Sequence, residues 1–302
     1  MKVVADGEKI GSSFVCIGNF DGVHLAHKAL IEEAINSKGD NPSVVYTFKP
    51  HPAVVMGQSL GLLMSDKQKE DCIKELGVDI LYLQPTTSEY LSMSPEGFAK
   101  DILKDKIGAI KVFVGYDFRF GAKGVGDAEA LKKFGIKYGF EVKIMPEIKV
   151  DGETVKSSLI RDYINKGNFY KANKFLGRLF TYRGKVSHGK KLGRVLGYPT
   201  ANIFPEKGMV IPPLGVYASK LKIDDLWYDG VSNIGVNPTV EDTGRIKIES
   251  NIFNFNNEIY GKTIEVALIE YIRDEIKFKN KEELIKQIDK DFICAKKIFD
   301  KD

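Results

Sequence analysis

The chain has 302 residues, 43% of them hydrophobic, and a formal net charge of +4 from 45 basic and 41 acidic side chains. This size allows about two domains with sizeable cores, and so small and dispersed a surplus of positive charge gives no support to nucleic-acid binding. The sequence contains three cysteines, Cys16, Cys72 and Cys294, which lie far apart. Their number and spacing argue against a disulfide framework or a cysteine-rich zinc site and fit a reducing compartment. No apolar leader begins the sequence and no stretch approaches ~18 apolar residues, so we expect a cytoplasmic protein without a membrane span.

Residues 13 to about 145 alternate short apolar runs with amphipathic ones. Residues 24 to 38 predict the first helix, and Ser94 followed by Pro95 predicts the start of a later one, with a cap residue and proline at the first helical position. Repeated strand–helix units with β-branched strands indicate a parallel sheet covered by helices. The predicted strands, in chain order, are SFVCI, SVVYTF, VDILYL, IKVFVG and FEVKIM.

The pattern changes near residues 177 to 183. Beyond this point short β-type runs are separated by turn signals, which is typical of an antiparallel sheet or small barrel. At the end of the chain, Asn280 and Glu283 predict a capping box on a final helix. We therefore expect an α/β domain with a parallel sheet in residues 1–180, and a small antiparallel β-barrel with a terminal helix in residues 181–302.

The segment CIGNFDGVHLAH, residues 16 to 27, joins the first predicted strand to the first helix. In a parallel sheet, ligands bind beyond the carboxyl ends of the strands and beside helix N-termini. Gly18 and Gly22 allow the backbone to approach a ligand, and the N–H groups at the helix start attract an anion. His24 and His27 are three positions apart and share one face of the helix. We expect a phosphate site here, with the loop residues Asn19, Phe20 and Asp21.

Two other interpretations of the histidines stay open. A metal site needs a third ligand. The nearest candidate is His51, and no cysteine or suitably spaced acidic residue in the sequence supports a metal site with it. A single histidine is ordinarily a hydrogen-bonded packing residue. The paired placement of His24 and His27 after a glycine-containing loop favours phosphate binding over both.

A second candidate phosphate site opens the antiparallel half. From Arg178 to Phe204 there are six basic residues, no acidic residue and four glycines. A glycine-rich, cationic flap is suited to cover the phosphates of ATP, with Lys185 and Gly189 as its contacts. A P-loop is excluded, because position 256 is asparagine where that motif requires glycine. A solvated hairpin and an RNA-binding patch are the alternatives, and few aromatic side chains are present for base stacking.

These motifs together resemble a known family. GNFDGVHLAH is similar to the GxFDxxHxGH-type signature of the nucleotidyltransferase superfamily, and the whole chain resembles bacterial bifunctional riboflavin kinase/FMN adenylyltransferases, also called FAD synthetases. The further segments that match in the family's order are TFKPHP, VGYDFRFG, KSSLIRDYINKG, GRVLGYPTANI, GVYA, NIGVNPT and IESNIFNFNNEIYG. The resemblance implies a Rossmann-like nucleotidyltransferase domain followed by a riboflavin kinase domain. It also implies ATP, riboflavin and FMN as substrates, FAD as product, Mg²⁺ with ATP, and no nucleic-acid or membrane partner.

In such a family the first domain joins the AMP of ATP to FMN. The attacking phosphate oxygen is already ionised near neutral pH, so catalysis depends on aligning two anions and neutralising charge. The resemblance assigns Arg161, in SSLIR, to catalysis together with His24 and His27. Ser157 and Ser158 either cap the helix that follows or contact phosphate.

Two further positions of this domain bear on nucleotide binding. Asp117, in VGYDFRFG, follows the fourth predicted strand and is assigned to nucleotide or metal binding, although aspartate at a strand end is often a turn former. Ala26 stands where the family commonly has glycine. If that glycine admits adenine or ribose, the extra methyl weakens ATP binding, whereas the helix does not suffer because alanine is a strong helix former.

In the second domain, Thr200 and Asn202 match the PTAN motif of riboflavin kinases, whose threonine and asparagine oxygens hold Mg²⁺ with ATP. Residues two apart in an extended segment face the same side, and oxygen atoms are the ligands that Mg²⁺ accepts. Without the motif, this segment would be taken for a turn. Glu249 matches the family's catalytic glutamate, which serves as a general base for the neutral hydroxyl of riboflavin. The isoleucines of its strand alternate onto the opposite face.

The main hypothesis is thus a bifunctional enzyme that converts riboflavin to FMN and then FMN to FAD. One alternative is an enzyme in which only the kinase half is active, because of Ala26. The other is an inactive flavin- or nucleotide-binding regulator, which would not need both the charge-neutralising groups and a general base. Asn251, where the family commonly has histidine, is a second departure near the kinase residues.

Overall fold

The computed structural model describes residues 1–5, 8–187, 200–236, 246–255 and 257–300. Two compact units divide the chain: Met1–Leu60 with Asp66–Ser157, and Gly61–Ser65 with Ser158–Asp302. Gly189 of the predicted flap lies outside the described residues. None of the helices in the described ranges is both long and apolar enough to cross a bilayer.

The strands of the first unit are β1 (Lys2–Ala5), β2 (Ser13–Ile17), β3 (Ser43–Lys49), β4 (Ile80–Pro85), β5 (Ala109–Gly115), β6 (Arg119–Phe120), β7 (Gly126–Asp127), β8 (Glu141–Met145), β9 (Lys149–Val150) and β10 (Glu153–Thr154). Six of them form a parallel sheet in the order β1-β4-β3-β2-β5-β8. The two-residue strands pair as two short hairpins, β6 with β7 and β9 with β10.

Helices connect these strands and cover the sheet. They are α1 (Leu25–Ser37), α2 (Pro52–Val55), α3 (Asp66–Glu75), α4 (Ser88–Ser92), α5 (Pro95–Gly97), a π-helix (Phe98–Lys106), a 3₁₀ turn (Ala122–Gly124) and α6 (Ala128–Tyr138). The predicted start at Ser94 is confirmed, because its hydroxyl oxygen accepts the Gly97 N–H at 3.0 Å with Pro95 at the first helical position. Asp127 caps α6 in the same way, accepting the Ala130 N–H at 2.8 Å.

The central strands are buried on both faces, as the apolar runs predict. Val44, Val45 and Tyr46 in β3 have no solvent exposure, and neither has Val15 in β2. One apolar core, formed by these strands and the π-helix, includes Val15, Val44, Tyr46, Tyr82, Phe98, Leu103, Val112 and Val114. The prediction of a parallel sheet wrapped by helices is confirmed.

The strand order reverses direction at β2. After β2 the chain moves outward through β3 to β4, and it then returns to place β5 on the other side of β2. Loops leave the carboxyl ends of β2 and β5 in opposite directions, which opens a crevice between them where ligands bind in open α/β sheets. The segment Gly18–His24 follows β2 and the segment Tyr116–Asp117 follows β5.

The second unit contains an antiparallel sheet of six strands: β11 (Thr181–Lys185), β12 (Thr200–Ile203), β13 (Gly215–Ile223), β14 (Leu226–Val236), β15 (Ile246–Ile252) and β16 (Thr263–Arg273). Their order in the sheet is β11-β16-β13-β14-β15-β12. The helices α7 (Ser157–Asn165, whose first residue belongs to the first unit) and α8 (Phe169–Leu176) precede the sheet, and α9 (Lys281–Phe299) follows it.

The two edges of this sheet meet. Just beyond β11, the Ser187 N–H donates to the Asn202 carbonyl of β12 at 2.8 Å. Gly184 of β11 lies so close to β12 that a Cβ placed on it would stand 2.9 Å from the Cβ of Ile203. The sheet therefore curls into a small antiparallel barrel with a terminal helix, and this part of the predicted fold is confirmed.

Inside the barrel, hydroxyl groups link three neighbouring strands. The side chains of Ser219, Ser232 and Ser250 are buried, and each Oγ–Oγ distance between neighbours is 2.7 Å. On the outside, α9 packs Ala295 and Ile298 against the sheet. The predicted cap of this helix is confirmed, since Asn280 Oδ1 accepts the Glu283 N–H at 2.9 Å.

Candidate functional site

The loop after β2 is held in a fixed shape by its neighbours. The Gly18 N–H donates to the Tyr46 carbonyl at 3.2 Å, and the Thr47 hydroxyl donates to the Asn19 carbonyl at 3.2 Å. The Ser157 hydroxyl, at the start of α7, donates to the Asp21 carbonyl at 2.8 Å. These bonds tie the loop to the carboxyl end of β3 and bring Ser157 beside it.

The same loop turns sharply before α1. Phe20, Gly22 and Val23 all have positive φ angles, of 50°, 87° and 36°, and at Gly22 this left-handed conformation explains the residue type. Gly18 has another reason: a Cβ there would lie 3.3 Å from the ring of the buried Phe20. The turn leads directly from the carboxyl end of β2 into the start of α1.

His24 and His27 lie together at this helix start. His24 is buried and caps α1, its Nδ1 accepting the His27 N–H at 3.3 Å. The two rings stack with centroids 3.6 Å apart, and the His27 and Phe20 rings meet in a T-shaped contact with centroids 5.2 Å apart. Because Nδ1 of His24 is an acceptor, the proton of the neutral ring lies on Nε2. His24 Nε2–H is thus a hydrogen-bond donor of the kind that suits a phosphate oxygen.

The metal interpretation of the histidines needs at least one more ligand. Among the residues that the structure describes, no group of three or more His, Cys, Asp or Glu side chains is arranged to hold a metal ion. His51 instead caps α2, its Nδ1 accepting the Ala53 N–H at 3.2 Å.

Asp117 lies on the other side of the crevice, after β5. Its carboxylate is 59% exposed and stands 3.7 Å from Lys156 Nζ. The Lys156 ammonium also lies over the Tyr116 ring, 5.3 Å from its centroid. The pKa of Lys156 is raised, first by hydrogen bonding to Tyr116 and also by the charge of Asp117. The rim of the crevice on this side thus carries a cation beside Asp117.

Ser158 and Arg161 belong to the second unit. Ser158 is the second residue of α7 and is exposed. Arg161, one turn further on, donates from Nε to the Gly61 carbonyl at 2.8 Å. Their participation in the site around His24 stays a prediction.

A buried lysine near the loop was missed by the sequence interpretation. Lys69 of α3 is only 6% exposed, and its Nζ lies 3.3 Å from the Phe48 carbonyl at the end of β3. Burial is the main cause of its lowered pKa, which the carboxylates of Asp66 and Asp21 oppose. One signal in the sequence could have indicated this burial: Lys69 precedes the apolar Ile73 by four positions, and residues four apart lie on the same face of an amphipathic helix.

In the second unit, strand register aligns the predicted kinase residues. Asn202 pairs directly with Glu249, which in turn pairs with Asn233 of β14. Thr200 pairs with Asn251, two residues along on the same face. Side chains of directly paired residues point to the same side of a sheet, so β12, β14 and β15 present these polar groups together on the outer face.

Asn202 and Glu249 differ in their surroundings. Asn202 is 4% exposed, and its Oδ1 has no hydrogen-bond partner within the described ranges. Buried polar atoms are rarely left without a partner, and each exception requires an explanation such as an ion. Glu249 is half-buried, and its carboxylate accepts a hydrogen bond from Lys247 two residues earlier on the same face.

A cavity of about 340 Å³ lies beside this polar row. Thr200, Glu249 and Asn251 line it from the sheet, beside Val216 and Val231. The other wall comes from the end of β16, the segment that follows it and α9; it carries the charged Arg273, Glu275 and Asp291 and the apolar Ile276, Phe278, Leu284, Ile288 and Phe292. The cavity therefore combines a polar floor with a largely apolar wall, which is typical of sites for flat, partly apolar small molecules.

An ion pair fixes the helical wall of this cavity. Arg273, at the end of β16, donates from Nε and Nη2 to the two carboxylate oxygens of Asp291 at 2.8 and 2.7 Å. Gln287 donates to the same carboxylate at 2.9 Å. Asp291 is buried, so the bidentate pair holds α9 against the sheet in a defined position.

Lys185 of β11 is exposed and pairs with Thr263. It does not line the cavity, and it ends β11 two residues before Ser187, whose N–H donates to the Asn202 carbonyl. Its assignment to ATP phosphates, like that of Gly189, stays a prediction.

Comparisons with known proteins agree with this two-part organisation. A family model described as FAD synthetase matches residues 7–159, and a riboflavin kinase model matches residues 176–299. The bifunctional riboflavin kinase/FMN adenylyltransferase of Listeria monocytogenes is 36% identical over 92% of this chain and 89% of its own length. The enzyme of the same name from Buchnera aphidicola of Acyrthosiphon pisum is 36% identical over 95% of this chain and 94% of its own.

One crystal structure is similar over nearly the whole chain. It is that of a Streptococcus pneumoniae protein called a macrolide-efflux protein, with a TM-score of 0.86, 30% identity, and coverage of 98% of this chain and 99% of that one. Both family models and the two full-length relatives lead to one conclusion: the chain belongs to the family of bifunctional riboflavin kinase/FMN adenylyltransferases.

Proposed function

We propose that the two reactions of this family take place at two separate sites of the chain, kinase chemistry within residues 181–302 and adenylyl transfer within residues 1–180. The chain is a transferase of flavin biosynthesis: it phosphorylates riboflavin with ATP to give FMN, and it transfers AMP from ATP to FMN to give FAD and pyrophosphate. The observation that supports the kinase site most strongly is the alignment of Glu249, Thr200 and the orphan Oδ1 of Asn202 beside one cavity.

For the kinase reaction, the cavity suggests how riboflavin is oriented. The flat ring system packs against the apolar wall of α9, and the ribityl chain extends over the polar floor. The oxygen of the terminal ribityl hydroxyl attacks the γ-phosphorus of ATP while Glu249 accepts the hydroxyl proton. The bond between the γ-phosphorus and the bridging oxygen of ADP breaks, and ADP leaves. A base is needed because this hydroxyl, unlike a phosphate, is neutral at physiological pH.

ATP-dependent kinases and nucleotidyltransferases generally use a divalent metal ion, and in the kinase reaction we propose Mg²⁺. The residues present fit it, because Oδ1 of Asn202 is a buried oxygen with no partner among the described residues, and Thr200 supplies a second oxygen on the same face. Bound with ATP, the ion neutralises charge that develops on the phosphates. We further propose that Lys185 and Gly189 contact the phosphates of this ATP.

For adenylyl transfer, we propose the crevice between β2 and β5. A phosphate oxygen of FMN attacks the α-phosphorus of ATP, and the bond to pyrophosphate breaks. The chain needs no base for this step, so its residues align and neutralise the two anions. His24 and His27 donate to phosphate oxygens alongside the N–H groups of α1, and Arg161 stabilises the leaving pyrophosphate. The remaining proposed nucleotide contacts are Gly18, Asn19, Phe20, Asp21, Gly22, Asp117, Ser157 and Ser158.

We propose that the enzyme works in the cytoplasm. Cys16 is buried in β2, and burial raises the pKa of its thiol, so it is an unreactive core residue. Cys294 is exposed on α9 without a disulfide partner. An exposed free thiol is compatible with a reducing environment.

Incubating the purified chain with Mg-ATP and either riboflavin or FMN tests this proposal. Chromatography of the flavins over time is expected to show FMN first and FAD after it when riboflavin is supplied, and FAD directly when FMN is supplied. FMN that accumulates without FAD would limit the function to the kinase and draw attention to Ala26. Flavin binding without turnover would overturn the enzymatic proposal in favour of a regulator.

Replacing Asn202 with alanine is expected to raise the Mg²⁺ concentration for half-maximal FMN formation by about tenfold or more, since one of two protein oxygens is removed from the ion. The isosteric Asn202→Asp variant keeps an oxygen in place and should need less Mg²⁺ than Asn202→Ala. Titrating Mg²⁺ at fixed ATP measures both. Equal Mg²⁺ dependence of the alanine variant and the parent would remove Asn202 from the metal site.

A further inference from the structure

The buried ammonium of Lys69 is not used by the proposed mechanism. It projects from α3 to the carboxyl end of β3, where its Nζ lies 3.3 Å from the Phe48 carbonyl. The preceding residue, Thr47, donates to the Asn19 carbonyl of the loop that precedes α1. Lys69 therefore stands one residue from the point where β3 holds the proposed phosphate-binding loop.

The Lys69 ammonium makes fewer hydrogen bonds to its neighbours than it has donors. A lysine ammonium has three donors. In the described part of the chain, the Phe48 carbonyl is its hydrogen-bond acceptor, and the nearest carboxylate is that of Asp66 at 3.9 Å. Removing a charge from water is costly unless the charge is paired. Lys69 is 6% exposed, so the Phe48 carbonyl and the more distant Asp66 carboxylate leave donor positions of its ammonium without a close acceptor.

We propose that Lys69 is a further binding residue of the adenylyl-transfer site, where its ammonium receives a phosphate oxygen of ATP or FMN. This inference rests on the proposed location of that site. A phosphate group supplies charged acceptor oxygens at hydrogen-bonding distance, closer than the Asp66 carboxylate at 3.9 Å, and Lys is a common point charge for phosphate. The lysine then complements His24 and His27 across the same loop.

The lowered pKa of Lys69 agrees with such a role in the free protein. Burial lowers this pKa, with a smaller contribution from the charge of Lys49, while the carboxylates of Asp66, Asp21 and Glu70 oppose the change. At a pH above this lowered pKa, the ammonium loses its proton and its attraction for phosphate. The KM of the phosphate substrate that it binds is therefore expected to rise toward alkaline pH.

The test compares Lys69→Met and Lys69→Arg in the full chain, with Lys67→Met as the matched control. Lys67 is on the same helix but is exposed and paired with Asp71 at 2.9 Å. We expect Lys69→Met to raise the KM for ATP or for FMN in FAD formation by roughly 10–100-fold, with FMN formation from riboflavin unchanged. A change in the KM of ATP alone identifies its phosphates as the ligand, and a change in that of FMN alone identifies the flavin phosphate.

The arginine variant separates binding from folding. Arginine stays charged at all accessible pH values, so Lys69→Arg should keep part of the affinity and lose the alkaline rise in KM. A purely structural lysine would lower the melting temperature while leaving the KM values and their pH dependence intact, and that result overturns the inference. Parent-like kinetics in Lys69→Met overturns it as well. If the parent chain itself forms no FAD, the proposed adenylyl-transfer function fails first, and the inference fails with it.

Discussion

Replacing Glu249 with glutamine is expected to slow FMN formation from riboflavin by about 10²–10⁴-fold, the usual contribution of a general base. Glutamine keeps the shape of the side chain and its place between Asn202 and Asn233, but it does not accept the proton of the ribityl hydroxyl. The conversion of supplied FMN to FAD should continue at the parent rate, because we propose the crevice of the first unit for that step. Following both reactions by flavin chromatography on the same preparation measures the difference.

The matched control for this prediction is Glu275→Gln. Glu275 lines the same cavity and accepts a hydrogen bond from Asn233 at 3.2 Å, but it does not pair with β12 or β15. It should therefore affect the KM of riboflavin more than kcat. A kcat loss of equal size in both variants would show that the cavity needs negative charge rather than a base at position 249.

Replacing His24 with asparagine is expected to reduce FAD formation from FMN by about 10²–10³-fold, which is typical for the loss of one positioned donor to developing charge. Asparagine is a strong helix cap, so it preserves the function of His24 Nδ1 at the start of α1 while removing the ring and its Nε2–H. FMN formation should be unaffected. Initial rates of FAD and pyrophosphate production provide the measurement.

His51→Asn serves as the control, because it makes the same exchange at another histidine that caps a helix. Circular dichroism and thermal unfolding of both variants would show whether the caps are intact. Retention of FAD formation in His24→Asn would exclude His24 from the chemistry and return it to a packing role.

The local elements of this fold could be predicted from the sequence with little error. The apolar run SFVCI coincides with β2, and the helix expected over residues 24 to 38 is observed at Leu25–Ser37, with His24 as its cap. Such features depend on residues close in sequence: apolar runs, cap residues and glycine stops. The phosphate-site hypothesis stays a prediction, and it too depends on residues close in sequence, since the loop, the helix start and both histidines lie within residues 16 to 27.

Features that depend on distant partners could not be predicted in this way. Strand β1 has four residues, three of them exposed, and it forms because it pairs with Ile80–Leu83 of β4. Lys69 appears in the sequence as one of many helix lysines, and its burial follows from packing against the end of β3. The pairing of Asn202 with Glu249 is also invisible without the register of β12 on β15, so the sequence could suggest each residue only through the family motif.

The contact that closes the barrel has an energetic consequence. Asn202 uses its backbone carbonyl to join the barrel edges at Ser187, while its side chain offers the orphan Oδ1. A ligand that binds Oδ1 more tightly when this edge is closed stabilises the closed state against local opening by mass action. Through Asn202, substrate occupancy and the integrity of this seam are then thermodynamically linked.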